Sequence, residues 1–332
     1  MSFSRRGVFL GLTIWFCVSC GSRSSQRQSA RKELRLAVTR GSIGYLPAFV
    51  AGPIGCFQKE GLAVRIEETE GTPKSMIALL AGTVDAVAGG YLQLLDLVSQ
   101  GRPMRAFLLM QRFPGFVAIV SPRASGRIQK LEDLRGAKVG VASAGSESYR
   151  ILSYMLRKRG MRPEDVSAIS LGPSVTQAPS LERGLVDVLL AQGVTISFLE
   201  QRNANLRILF DTRTPETTIT ALGVEAMPES VLLSLESWLK SDPITARHLA
   251  RATRCAMTWI QDHTPEQIRN VLPDSCRSPN AAADVEAIQA TKHMLSADGR
   301  MTPELHEAAV RISGVASRAN LDHAYTNEFL DP

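Results

Sequence analysis

The chain has 332 residues, of which 44% are hydrophobic and 21% charged, with a formal charge of +6. That length and composition describe a globular protein large enough for two lobes, each with its own core, and exclude a disordered chain. No run of Lys or Arg is interleaved with aromatics, so a nucleic-acid surface is not indicated.

Arg5 and Arg6 precede an apolar run from Val8 to Val18, the length of a signal h-region and too short to span a bilayer. Ser4 to Leu10 resembles a twin-arginine signal, and Val18-Ser19-Cys20-Gly21 resembles a lipoprotein box whose Cys20 carries a lipid anchor. Cys17 stands where such boxes usually carry Leu, so simple cleavage stays open. Residues 1–20 are therefore read as a signal segment and 21–32 as a flexible linker, and the protein is expected to be exported to the periplasm or cell envelope. Subtracting Arg5 and Arg6 leaves +4. Cys17 and Cys20 have redox-pair spacing but lie inside the apolar signal, which makes that reading poor.

Leu34 to Val38 reads as a first strand, with Arg40 and Ser42 in the loop at its carboxyl end. Ile43 to Phe57 has partly helical spacing, and Leu62 to Ile66 reads as a second strand. From Thr72 to Tyr91 the pattern is helix, turn, strand. Thr72 can accept from a free helix N–H, Pro73 pre-sets φ, and Gly82 supplies a left-handed stop. This unit occurs twice, for Leu79, Gly82, Val84 and Asp85 return as Leu181, Gly184, Val186 and Asp187. Each copy leads into a strand with no polar face, as in a parallel sheet covered by helices on both sides. The repeat predicts two similar α/β lobes, with Gly90-Tyr91 and Gln192-Gly193 facing one cleft from the carboxyl ends of their strands.

Met104 to Met110 and Phe116 to Val120 are read as further strands, and Pro122 to Gly126 as the crossing into the second lobe. That lobe opens with a short helix at Leu131 to Leu134 and the strand Lys138 to Val141. Ser143-Ala144-Gly145-Ser146-Glu147-Ser148 follows, a small-residue loop feeding a helix that stops at Gly160. Such a loop lets a ligand approach backbone N–H groups at a helix N-terminus, although an ordinary N-cap loop looks the same. Val166 to Leu171, the second repeat copy and Leu206 to Phe210 complete the lobe. Asp211 to Thr218 reads as the return crossing, and Thr220 to Val224 as a strand rejoining the first lobe. From Pro228 onward only helices are expected: Val231 to Leu239, Ile244 to Ile260, Pro265 to Val271, Ala281 to Leu295 and Pro303 to Ile312. Residues 33–121 and 216–332 thus form lobe 1 with C-terminal helices, and 122–215 form lobe 2.

All five histidines fall in the helical tail, far in sequence from Ser143, Ser146 and Ser148, which argues against a nucleophile with an imidazole base. No His or Cys cluster has zinc-ligand spacing, and no Walker-type or dinucleotide loop follows a strand. Neither a metal nor a cofactor is expected. Among the remaining cysteines, a Cys255–Cys276 bridge and three buried thiols (Cys56, Cys255, Cys276) both stay open.

Several stretches, taken together, carry a resemblance to a known family: Gly55 to Val64, the first repeat unit, Leu131 to Val141, the Ser143–Ser148 loop, and Tyr325 to Leu330. The chain resembles the solute-binding proteins of bacterial ABC importers of the nitrate, sulfonate, taurine and thiamine-precursor type. The resemblance implies a two-lobe periplasmic-binding-protein fold (type II). Each lobe is a mostly parallel sheet flanked by helices, with a helical C-terminal extension, and hinge closure traps the ligand. It implies a monomer that hands its ligand to a membrane permease driven by an ATPase. It places ligand contacts at Ser42, Tyr45, Thr72, Gly90, Tyr91, Ser146, Glu147 and Ser148. Ser143, Gln192 and Arg40 join them as cleft positions, and Tyr45, Tyr91 and Phe113 either stack on a flat ligand or pack the lobe.

Two departures from the family bear on the ligand. Relatives often carry small hydroxyl residues at the second-lobe helix start, where this chain has Glu147. An exposed Glu in a first helical turn reads first as a dipole partner; turned inward, it would repel sulfonate or nitrate and suit a cationic or amino-substituted ring. Arg40 favours an anion. Gln192-Gly193-Val194 also replaces an aromatic-acid-proline run. The leading reading is an exported, non-enzymatic binding protein for a small organic solute. The alternatives are a sensory lipoprotein that signals to a membrane receptor, and an enzyme on the same fold acting in pyrimidine or quinone precursor synthesis.

Overall fold

A computed structural model describes residues 33–331 apart from Pro173 and Ala316, with the side chains of Ser174 and Val175 also left out. The signal segment, the linker and the Cys20 anchor lie outside the described residues. Ten strands are found among the described residues: β1 (Leu34–Thr39), β2 (Val64–Thr69), β3 (Ala86–Gly90), β4 (Met104–Leu109), β5 (Phe116–Val120), β6 (Lys138–Val141), β7 (Ser167–Ser170), β8 (Val188–Gln192), β9 (Ile208–Asp211) and β10 (Ser230–Leu235). They make two five-stranded sheets, ordered β2-β1-β3-β10-β4 and β7-β6-β8-β5-β9. The two orders have one plan. Three parallel strands lead each sheet, and the fourth position holds a strand antiparallel to both neighbours.

Those antiparallel strands move the boundaries read from sequence. β5, expected in the first lobe, pairs with β8 and β9 of the second sheet. The chain therefore crosses before Phe116 rather than at Pro122 to Gly126, and the lobe 1 bound at residue 121 moves back accordingly. β10 makes the return. It occupies Ser230–Leu235, where a helix from Val231 to Leu239 was expected. Conversely Thr220 to Val224, expected as a strand, overlaps the end of the helix Pro215–Leu222. The sequence holds the reasons for both errors. Val231-Leu232-Leu233 is a short apolar run buried all round, without a period to separate strand from helix. Thr214-Pro215 is a helix start, with the Thr214 hydroxyl accepting from the Thr217 amide at 3.3 Å.

The repeated aspartate has a structural task. Asp85 Oδ2 accepts from the Arg35 amide at 2.8 Å, and the Asp85 amide donates to the Arg35 carbonyl at 2.9 Å. Asp187 repeats this with Lys138 in the second lobe, at 2.8 Å in both directions. Each aspartate thus latches the start of the third strand onto the first, and the preceding Gly82 and Gly184 both adopt left-handed backbone at φ 71° and 72°. Asp85 is the more buried copy and also holds the Arg35 guanidinium at 2.9 Å. Asp85→Ala is expected to cost about 2 kcal/mol in urea unfolding, because it leaves the part-buried Arg35 amide without its acceptor and the guanidinium with only the Gly82 carbonyl. An unchanged midpoint would show that the latch is dispensable.

Three apolar clusters fill the molecule. One lies behind the first sheet under the C-terminal helices, and one behind the second sheet. The third is continuous from lobe to lobe: Leu92 and Leu95 of the helix Tyr91–Ser99 and Ile151 and Met155 of the helix Glu147–Arg157 share it with Ala309 and Ile312 of the helix Pro303–Ser313. The C-terminal helix therefore packs with both lobes.

Neither cysteine reading survives intact. Cys56, on the short helix Cys56–Lys59, is bonded to Cys255 on the helix Pro243–Asp262, and Cys276 is buried as a free thiol. Spacing along the chain could not show this, because a tertiary contact between two helices brings the partners together.

Candidate functional site

The carboxyl ends of β1, β3, β6 and β8 converge with the two crossing segments, and the lobes touch there. A Cβ on Gly90 of the first lobe would stand 2.8 Å from Glu147 Oε2 of the second. A Cβ on Gly193 would meet Ile43 Cγ1 at 3.0 Å, and one on Gly44 would lie 3.7 Å from Gln192 Oε1. Arg150 beside Glu147 pairs with Asp96 across the lobes at 2.8 Å. The cleft is closed.

On the first-lobe wall, the Tyr45 hydroxyl bonds to the Thr72 hydroxyl at 2.8 Å, and Thr72 lies 3.4 Å from the Thr39 hydroxyl. Thr72 and Tyr45 are buried, and Ser42 is half-buried at the start of the Ile43–Tyr45 turn. On the second-lobe wall the serines largely satisfy one another. Ser146 Oγ donates to the Ser143 carbonyl at 2.6 Å, lies 2.9 Å from Ser148 Oγ and caps the helix by accepting from the Tyr149 amide. Ser148 Oγ accepts from the Ala142 amide at 3.1 Å. These bonds shape the loop that presents Glu147.

Glu147 is not an exposed dipole partner. It is 5% exposed, turned between the lobes, with Oε1 accepting from the Leu92 amide at 3.1 Å and Oε2 buried without a hydrogen-bond partner. Burial pushes its carboxyl up to about 7, against the pull of the Leu92 amide and of Arg150. Gln93 donates to the Gly145 carbonyl at 3.2 Å, while its own Oε1 is buried and unpartnered next to Gly90.

The residue that sequence reading missed is Glu229, on the return crossing and 3% exposed. Its Oε1 lies 3.5 Å from Gln192 Nε2, which also donates to the Pro114 carbonyl at 2.9 Å. Gln111, with its amide oriented by the surrounding acceptors, donates to Glu229 Oε2 at 3.0 Å and to the Gly44 carbonyl at 3.3 Å. Burial, with the field of Glu147 behind it, raises the Glu229 carboxyl well above the usual range. A buried carboxylate on a crossing carries no local signal, and from Pro228 onward the sequence was read as helical.

Three of the expected contact residues have partners within the protein. Tyr91 is fully buried in the shared core, its hydroxyl 2.7 Å from His306 Nδ1. Arg40 is ion-paired with Glu68 at 3.1 Å with its side chain 64% exposed. Phe113 is buried on the first crossing beneath the Arg112 guanidinium, 5.2 Å from its ring centre. Tyr91→Phe is expected to cost about 1 kcal/mol of stability for the lost hydrogen bond and to leave solute binding unchanged. A loss of affinity would return Tyr91 to the cleft.

Two mixed sheets, two crossings and a cleft at the strand ends define a periplasmic-binding-protein fold. The family model described as NMT1/THI5 like matches residues 43–268, and the chain belongs to that family. A solved structure from Bordetella bronchiseptica RB50 is similar at 29% identity and a TM-score of 0.83, covering 90% of this chain and 95% of that one. The periplasmic aliphatic sulphonate binding protein SsuA of Escherichia coli superposes with a TM-score of 0.66 at 17% identity, over 89% and 97% of the two chains. Among curated proteins, the 4-amino-5-hydroxymethyl-2-methylpyrimidine phosphate synthase of Schizosaccharomyces pombe is 28% identical over 160 residues, 47% of this chain and 42% of that one.

Proposed function

We propose that this protein is an exported solute-binding component of an ABC-type importer, which captures a small organic solute between its lobes and delivers it to a membrane permease. The observation that carries the reading is the closed interlobe cleft, in which buried acceptors from both walls, Gln93 Oε1 and Glu147 Oε2, meet without a hydrogen-bond partner. Such groups cost stability unless a ligand satisfies them. Tyr45, Thr72, Gly90, Glu147, Glu229 and Gln192 are the positions that would line the ligand. Export rests on the amino-terminal signal pattern and on the periplasmic neighbour. Among the described residues no helix is long and apolar enough to cross a membrane.

The synthase relative favours a second reading, an enzyme on the same fold. Imidazole catalysis in the cleft finds no support. His248, His263, His293 and His306 pair with Glu60, the Trp259 carbonyl, Gln289 and Tyr91, none of which belongs to the Ser143–Ser148 loop. Equilibrium dialysis against small amines, aminopyridines, sulfonates and nitrate, followed by mass spectrometry of the bound compound, separates the two. The transport reading predicts one compound retained one to one and recovered unchanged. Chemical conversion of the compound would establish the enzyme.

A further inference from the structure

The charged side chains buried at the cleft are Glu147 and Glu229, and both are acidic. Glu147 comes from the second-lobe helix start and Glu229 from the return crossing, and both fields act on the Tyr45 hydroxyl. Glu147 Oε2 and Gln93 Oε1 converge on Gly90, where a Cβ would come within 2.8 Å and 3.0 Å of the two oxygens, so that only glycine lets them approach this closely. No Lys or Arg among the described residues hydrogen-bonds to either glutamate. Arg150, one turn along the helix, is held by Asp96, and Arg40 is held by Glu68 at the surface.

We infer that Glu147 and Glu229 form a paired-carboxylate subsite that selects a cationic, N–H-donating solute, an organic amine or amidine, over an oxyanion. The inference rests on the binding-protein reading above and names the charge class of its ligand. Two buried carboxylates that no Lys or Arg hydrogen-bonds repel a sulfonate or nitrate, whereas a cation supplies the missing donor at Glu147 Oε2 and the missing charge together. Gly90 is the position that lets both free acceptors stand side by side, since any side chain there would press on them. Without a cation the pair lowers its own repulsion by keeping protons, so cation uptake must release them. Arg150, Tyr45 and the amide groups of Gln111 and Gln192 are the other groups bearing on the pair, and all of them stay with the protein when the ligand leaves.

Titration calorimetry on the full chain tests this with propylammonium, benzamidinium, methanesulfonate and nitrate, against wild type, Glu147→Gln, Glu229→Gln and Gly90→Ala. The expected result is binding of a cation by wild type, weakened about ten- to a hundredfold in each Gln variant and in Gly90→Ala. Affinity should fall from pH 7.5 to pH 5, and runs in buffers of different ionisation enthalpy should show proton release. Binding of methanesulfonate or nitrate that strengthens at low pH, survives both Gln changes and is lost in Gly90→Ala overturns the charge assignment and leaves the cleft reading standing. Cation binding indifferent to all three substitutions places it on the surface and overturns the subsite. Failure of every probe to bind overturns the subsite and counts against the binding-protein reading as well.

Discussion

Glu147→Gln is expected to stabilise the closed form of the protein at alkaline pH, by about 3 kcal/mol at pH 8, and to leave it unchanged at pH 4. The sign follows from the proton balance. The carboxyl is raised from 4.5 to about 7 in the folded protein because burial penalises its charge. Below pH 4.5 it is neutral in both states and carries no penalty. Between pH 4.5 and 7 the unfolded chain gives up the proton while the folded protein keeps it, so stability falls as pH rises. Above pH 7 the folded protein bears the whole cost of the buried charge. Gln removes the charge and with it that contribution to the slope. Urea midpoints at pH 4 and pH 8 check it, and a variant no more stable than wild type at pH 8 would mean that Glu147 is solvated or already paired. The same penalty is what a cationic solute would relieve, so stability given up by the closed form above neutrality becomes affinity for its ligand.

The second large effect concerns the Cys56–Cys255 bridge, which spans a sequence separation of 199. Closing so long a loop restricts the unfolded chain, and the chain-entropy relation assigns it about 5 kcal/mol. It also fixes the helix Pro243–Asp262, which packs in the core behind the first sheet, to the short helix after the first turn. Cys56→Ser with Cys255→Ser is expected to lower the urea midpoint by an amount of that order, and dithiothreitol should do the same to wild type. Equal midpoints under oxidising and reducing conditions would show that the bridge contributes nothing. A bonded pair with one buried thiol left over also agrees with folding in an oxidising compartment.

The lobes were legible because their signals are local. The repeat from Leu79 to Asp85 and from Leu181 to Asp187 encodes a helix end, a left-handed glycine and a latch onto the neighbouring strand, all within a few residues. The carboxyl ends of β3 and β8 then followed from the general geometry of parallel sheets. Whatever depended on the crossings was not legible. β5 and β10 are each short apolar runs that insert into the sheet of the other chain segment, and no residue in Phe116–Val120 or Ser230–Leu235 announces which sheet it joins. Glu229 shares that difficulty, since its burial is created by Gln111, Gln192 and Tyr45 from three distant segments. The side-chain directions of Tyr91 and Arg40 were hidden for another reason. Both backbones stand at the cleft, but the side chains turn to His306 and Glu68, and the direction of a side chain at a strand end is set by its tertiary neighbours.

X-ray scattering of the full chain with and without its solute tests the central claim most directly, namely that the lobes close on a ligand. In the closed form Gly90 abuts Glu147 and Gly193 abuts Ile43, so an empty protein relieved of those contacts should be larger. The account predicts that the radius of gyration falls when the compound retained in dialysis is added to saturation. It predicts no such fall in Gly90→Ala, where the added methyl group holds the walls apart. A radius that is the same with and without bound compound would contradict capture by closure and leave the cleft a rigid structural interface.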